Sequence, residues 1–207
     1  MNKTIIWILS AVVILLAVMG AVRLATNKTN TNGELSRLVS ETDNIKGKGE
    51  KVLVEYSDFQ CPACAAYAPA VKQLIAELGE EVKVVYRNFP LRQIHPNAQM
   101  SAEAAEAAAL QGKFWEMHDV LFSKQIEWAS EKDPTEKFVF YASALGMDVE
   151  KFKTDLVSLV VKNKVNEDYD GGIESSVNST PTFFLNGKKI TNPRDYEGFK
   201  ALILNSN

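Results

Sequence analysis

Two cysteines, and only two, occur in the chain. They sit in Cys61-Pro62-Ala63-Cys64, between a run that reads as a strand and one that reads as a helix. Ahead of them, Lys51-Val-Leu-Val-Glu-Tyr56 is short, apolar and β-branched, the pattern of a buried strand with Glu55 inside it. Behind them, Ala65, Ala68, Val71, Leu74, Ile75 and Leu78 recur at helical spacing up to Gly79, and Pro69 inside that run predicts a kink. A second strand pattern follows at Val82–Phe89. Strand, helix and strand within about 40 residues predict a parallel βαβ unit, with the cysteine pair at its first joint.

The rest of the chain supplies the other half of an α/β domain. Asn97–Leu110 is rich in Ala and Glu with Gly112 as a stop, and Phe114, Met117, His118, Leu121 and Phe122 mark one buried helical face. Asp133-Pro134-Thr135-Glu136 starts another helix, which ends at Gly146. Asp148 caps a further one with apolar positions Phe152, Leu156, Leu159 and Val160. Asn186-Gly187 between Thr182–Leu185 and Lys188–Thr191 is a hairpin signal, and an amphipathic helix from Asp195 closes the chain. The order βαβ, helical block, ββα predicts a central sheet with an all-helical insertion at about 97–176. The 207 residues suffice for one such domain, and a net charge of −3 with no basic run gives no reason to expect nucleic acid.

The amino-terminal part reads differently. Ile5–Val22 carries no charge, and its 18 residues are at the short end for a membrane-spanning helix. The small-residue site expected of a cleaved signal is weak at Gly20-Ala21, so residues 1–25 are expected to remain as an anchor. Lys/Arg is nearly balanced across the segment; export is expected because a lone terminal anchor commonly carries its attached domain across the membrane. Residues 26–50 are polar and read as a linker with a short helical turn near Leu35–Val39, leaving 51–207 as the folded domain.

A cysteine at a helix N-terminus meets unpaired N–H groups and the positive end of the helix dipole, so its thiolate is stabilised and it becomes a nucleophile. The second cysteine, one turn on, can close a ring and resolve a mixed disulfide. Cys61 is therefore the candidate nucleophile and Cys64 the resolving thiol. A zinc site would need two more ligands, and the two histidines lie far off in sequence. A purely structural bridge would close a very small loop that restrains the unfolded chain least. No Gly-rich phosphate loop or metal cluster appears, and no cofactor is expected.

Tyr56-Ser-Asp-Phe-Gln-Cys-Pro-Ala-Cys64 resembles the active-site segment of the DsbA family, thioredoxin-fold proteins with a helical insertion. Tyr86–Leu91, His95–Ala98, Gly112–His118 and Thr180–Gly187 agree with it in the same order, so the resemblance runs from about Lys51 to Leu204. It implies a thioredoxin-like fold and exchange of disulfides in other proteins. It implies a cis peptide before Pro181 facing the cysteines, with Thr180 against the sulfurs or the substrate. It also implies a buried acid beneath the site at Glu55, able to assist proton transfer to Cys64. The lysine that partners this acid in some relatives has no secure match, with Lys83 or Val84 at the position. Ala63 lacks the polar group of a histidine, which predicts a less stabilised thiolate than in the strongest oxidants.

Three functions compete: an anchored oxidase that takes electrons from unfolded exported clients and is reset by a membrane partner, a reductase or isomerase using the same residues, and a client-binding module with a vestigial pair. His118 reads as a core histidine and His95 as a loop organiser.

Overall fold

The computed structural model describes residues 33–206. The expected anchor Ile5–Val22 lies outside the described residues, among which no helix is long and apolar enough to cross a membrane. The strands are β1 (Asn44–Lys46), β2 (Lys51–Ser57), β3 (Val82–Asn88), β4 (Thr182–Leu185) and β5 (Lys188–Lys189). The helices are α1 (Pro62–Leu78), α2 (Ala98–Ala109), α3 (Phe114–Ser123), α4 (Gln125–Trp128), α5 (Thr135–Ala144), α6 (Val149–Leu156), α7 (Leu159–Glu174) and α8 (Tyr196–Asn205).

The sheet runs β1-β3-β2-β4-β5. β2 and β3 are parallel, joined through α1, and the other pairs are antiparallel. Asn186 and Gly187 turn the β4–β5 hairpin with φ of 49° and 81°, which the Asn-Gly pair tolerates. Alternation along the strands sorts side chains by face. Leu53, Val84 and Phe183 pack under α1 and α8 with Val71, Leu74, Phe199 and Ile203. Val54, Tyr56, Val85 and Phe184 face the other way, against Val177, Leu35, Val39 and Tyr169. The insertion α2–α7 has its own core around Trp128, Phe138 and Phe152, continuous with Cys61, Cys64 and Phe59. The thioredoxin-like α/β fold with an inserted helical block is thus the observed architecture.

The expectation of a linker up to residue 50 does not hold from Gly33 onward. Leu35 N donates to Gly187 O at 2.7 Å and Lys189 N to Gly33 O at 2.7 Å, extending the sheet past β5. No helical turn forms at Leu35–Val39; instead the chain crosses the sheet and supplies Asp43 to Arg87 of β3. Arg87 Nε is 2.9 Å from Asp43 Oδ1, and its other nitrogens donate to the carbonyls of Arg37 and Leu38, both at 3.0 Å. A charge this buried is tolerated only when paired and fully hydrogen-bonded, so the strap and Arg87 require each other. β1 then pairs with β3 along Asn44–Tyr86 to Lys46–Val84.

The run expected as one helix from Asp148 to Val160 is broken. Asp148 caps α6 through Lys151 N, and Ser158 caps α7 through Val161 N. Leu159 and Val160 consequently point to solvent, 75% and 65% exposed. Gly171 and Gly172 lie inside α7, where the helix presses on its neighbours. A Cβ on Gly172 would come within 2.5 Å of the Phe89 ring, and one on Gly171 within 2.6 Å of Arg37 Cδ. Gly172→Ala is expected to destabilise the protein by about 2 kcal/mol through overpacking, read as a lower denaturant midpoint at unchanged slope. A helical glycine without this contact would instead gain about 1 kcal/mol from alanine, so the sign decides the matter.

Candidate active site

β2 ends at Ser57, three residues turn the chain, and α1 begins at Pro62 with Cys61 as its N-cap. Asp58 fixes the turn: Oδ1 accepts from Gln60 N at 2.7 Å, while Oδ2 accepts from Leu91 N at 2.9 Å and meets His95 Nδ1 at 2.7 Å. His95 therefore organises a loop, as its sequence context indicated. The insertion clasps the same segment. Gln125 Nε2 donates to the carbonyls of Phe59 and Cys61 at 2.7 and 3.0 Å, and Gln60 reaches Ala129 O at 2.8 Å while accepting from Asn97 N at 2.6 Å. Gln60, Asp58 and Gln125 carry no such signal in the sequence. Their role depends on partners up to 69 residues away, which local patterns do not carry.

The two cysteines are free thiols, Cys61 7% and Cys64 0% exposed. A hydrogen bond from Cys64 lowers the Cys61 thiol to about 5, against the opposing effect of burial, with Thr180 and the N–H groups of Ala63 and Cys64 lowering it further. Burial pushes Cys64 well above the ordinary thiol range, and the neighbouring charges of Cys61 and Glu55 add to this. The environment thus separates two identical groups into a thiol that ionises readily and one that holds its proton.

Across from them, the Thr180–Pro181 peptide is cis. The Thr180 carbonyl lies 3.6 Å from Cys61 Sγ, a contact that a protonated Cys61 can donate to. Asn192 Nδ2 holds the Pro181 carbonyl at 2.8 Å. Beneath the pair, Glu55 is 2% exposed, and burial raises its carboxyl to about 7. Its neighbour in β3 is Tyr86, whereas Lys83 sits beside Val52 and Val84 beside Leu53, so neither candidate for the missing lysine meets the acid. His118 is buried among Phe59, Tyr86, Phe114 and Phe122, its Nδ1 3.0 Å from Asp119, and burial lowers its pKa. It is a core histidine. Among the described residues no group of three or more His, Cys, Asp or Glu could hold a metal.

A thioredoxin family model matches residues 46–205. Among curated proteins, the Na(+)/H(+) antiporter NhaA 3 of Salinispora tropica is 39% identical over 168 residues, 80% of this chain and 25% of that protein. NhaA 1 of Mycolicibacterium gilvum is 39% identical over 161 residues, again 25% of its length. The chain spans about a quarter of the length of these curated relatives. Among solved structures, oxidised BdbD from Bacillus subtilis superposes with a TM-score of 0.72 at 22% identity, covering 84% of this chain and 97% of that one. The thiol-disulfide exchange protein alpha-DsbA2 from Wolbachia pipientis gives 0.68 at 17% identity, covering 79% and 87%. These likenesses establish a shared fold, including the helical insertion.

Proposed function

The chain belongs to the thioredoxin family, and from that premise we propose that it is a DsbA-type thiol–disulfide oxidoreductase, held to a membrane by Ile5–Val22 with its domain outside the cytoplasm, that forms disulfides in unfolded exported clients. The observation carrying this reading is the asymmetry of the pair: Cys61 lowered to about 5 at a helix N-terminus beside Thr180, Cys64 buried and raised. A client thiolate attacks Cys61 of the disulfide, the Cys61–Cys64 bond breaks, and Cys64 leaves with the electron pair and is protonated. The client's second thiolate then attacks its own mixed-disulfide sulfur and Cys61 leaves as a stable thiolate. The client is oxidised by two electrons, the protein is reduced by two, and a membrane partner takes them.

The position of Cys61 supports oxidation over reduction. The lowered Cys61 is a stabilised thiolate, which favours the reduced enzyme and hence oxidation of the client. Ala63 accords with a poise short of the strongest oxidants.

The test mixes oxidised full chain with a reduced, unfolded protein and counts client thiols by alkylation. Wild type is expected to remove them stoichiometrically, with a reduction potential above the ~−270 mV of thioredoxin. The Cys61→Ser, Cys64→Ser protein is expected to remove none. Equal thiol loss in that variant would sink the reading, as would a pair that never forms a disulfide. A thioredoxin-like potential would reverse the direction of flow.

A further inference from the structure

Glu55 does not stand alone beneath Cys64. Glu55 and Ser57 point from the same face of β2, and the register sets them beside Tyr86 and Asn88 of β3. All four are at most 2% exposed, and this is the face covered by α1, which carries Cys64. Two of the hydroxyls at this spot, Ser57 Oγ and Tyr86 OH, are buried without a closed hydrogen bond among the described residues. A buried hydroxyl left open costs free energy, and such a group calls for a reason. The Ser57 hydroxyl nonetheless holds Cys64, Glu55 and Tyr86 each lower than burial alone would set them. It is a neighbour of three groups and committed to none.

We propose that Ser57 is the relay through which Glu55 and Cys64 exchange a proton. The proposal rests on the disulfide exchange argued above. A serine hydroxyl can donate one hydrogen bond and accept two, which suits a shuttle. When the Cys61–Cys64 bond breaks towards Cys64, Ser57 donates to the Cys64 thiolate while accepting from the Glu55 carboxyl. Moving both protons leaves a Cys64 thiol, an intact Ser57 hydroxyl and a Glu55 carboxylate. In reverse, the carboxylate draws the Cys64 proton through Ser57, and the resulting thiolate attacks Cys61 and expels the client thiolate. The other groups facing this cluster are Tyr86, whose own pKa burial raises, Asp58, whose charge reaches Tyr86, the His118 ring 5.2 Å from the Tyr86 ring, and, across Asn88, the carboxylates of Glu106 and Asp168, which accept from Asn88 Nδ2 at 2.6 and 3.1 Å. Burial raises Glu106 to about 7 as well, so an inflection that survives in Glu55→Gln belongs to Glu106. Tyr86 stays protonated and His118 is buried and lowered, so neither competes with Glu55 for the transferred proton.

The test follows reduction of the Cys61–Cys64 disulfide in the full chain by dithiothreitol, quenched by acid and alkylated, with rates corrected for dithiothreitol thiolate. Wild type is expected to lose rate as pH rises through about 7, where Glu55 gives up its proton. Ser57→Ala is expected to lose about tenfold below that inflection and to flatten it, a fraction of what general acid catalysis can supply. Ser57→Thr keeps the hydroxyl and is expected to restore both, whereas Ser57→Val, of the same shape, is not. That pair isolates the hydroxyl even where both variants are less stable. The Cys61 thiol titration is expected to stay in place, because Ser57 is not among the groups that lower it. Wild-type rate and inflection in Ser57→Ala and Ser57→Val, with both lost in Glu55→Gln, would overturn the relay and leave Glu55 acting directly. A wild-type chain with no reducible disulfide would instead overturn the exchange reading itself.

Discussion

Cys64→Ala is expected to accumulate a covalent adduct with a client that carries a disulfide: the Cys61 thiolate attacks that disulfide, one client sulfur bonds to Cys61, and the other leaves as a thiolate. In wild type Cys64 resolves this adduct intramolecularly, running the oxidising path in reverse and expelling the client thiolate: it lies one helical turn from Cys61 and donates to it, so its effective concentration is very high. Removing it is expected to slow release by on the order of 10³-fold or more. The same substitution removes the largest influence that lowers Cys61, so its thiolate fraction near neutral pH falls and adducts form more slowly than the wild-type attack. Thr180 and the N–H groups at the start of α1 remain and keep Cys61 below the ordinary thiol range. Cys61→Ala is expected to give no adduct at all, since Cys64 is fully buried with its pKa raised. Non-reducing gels after incubation with a disulfide-bearing client read both variants. Adducts on Cys64 in the Cys61→Ala protein would exchange the two assignments.

The sequence announced features whose causes are local and hid those whose causes are not. The quartet at a strand–helix joint, the Asn186-Gly187 hairpin and the Asp148 cap each depend on residues within a few positions, and each appears where expected. Residues 33–50 read as a tether because Ser36, Arg37 and Asp43 look solvated in isolation. Ser36 in fact meets Ser175 at 2.9 Å, and Asp43 is the counter-charge of Arg87, 44 residues on. Leu159 and Val160 read as core because they are apolar, yet the Ser158 cap resets the helical phase and turns them outward. At the site, Cys61, Cys64 and Glu55 were legible as residue types, but the partner of Glu55 was set by register. Tyr86 falls beside it only because β3 pairs in parallel with Lys51 opposite Val82. A shift of one residue would have brought another side chain there and turned the face over.

Glu55→Gln is expected to be more stable than wild type at pH 8 by about 3 kcal/mol, with the advantage shrinking towards zero near pH 4. Burial raises the folded-state carboxyl from the ordinary 4.5 to about 7. Between those values the folded protein holds a proton that the unfolded chain has released, so stability falls as pH rises across the window and is level above it. At about 1.4 kcal/mol per pKa unit, the cost of ionising the buried acid accumulates to roughly 3 kcal/mol above pH 7. Glutamine keeps the shape and does not ionise. Glu106, held by Asn44 and Asn88 at 2.7 and 2.6 Å and also raised to about 7 by burial, imposes a slope of the same sign in both proteins. Cys61, lowered to about 5, imposes the opposite one, gaining stability between its folded value and that of a free thiol in both. Both cancel in the difference, so urea unfolding of the two dithiol proteins at pH 4 to 8 isolates Glu55. A constant offset with no pH dependence would mean that Glu55 titrates alike in the folded and the unfolded chain and is already ionised at neutral pH, which would remove it as the source of the Cys64 proton. The widening gap would show a site that keeps a costly acid where a neutral residue would make a more stable fold, the expected signature of a group retained for chemistry.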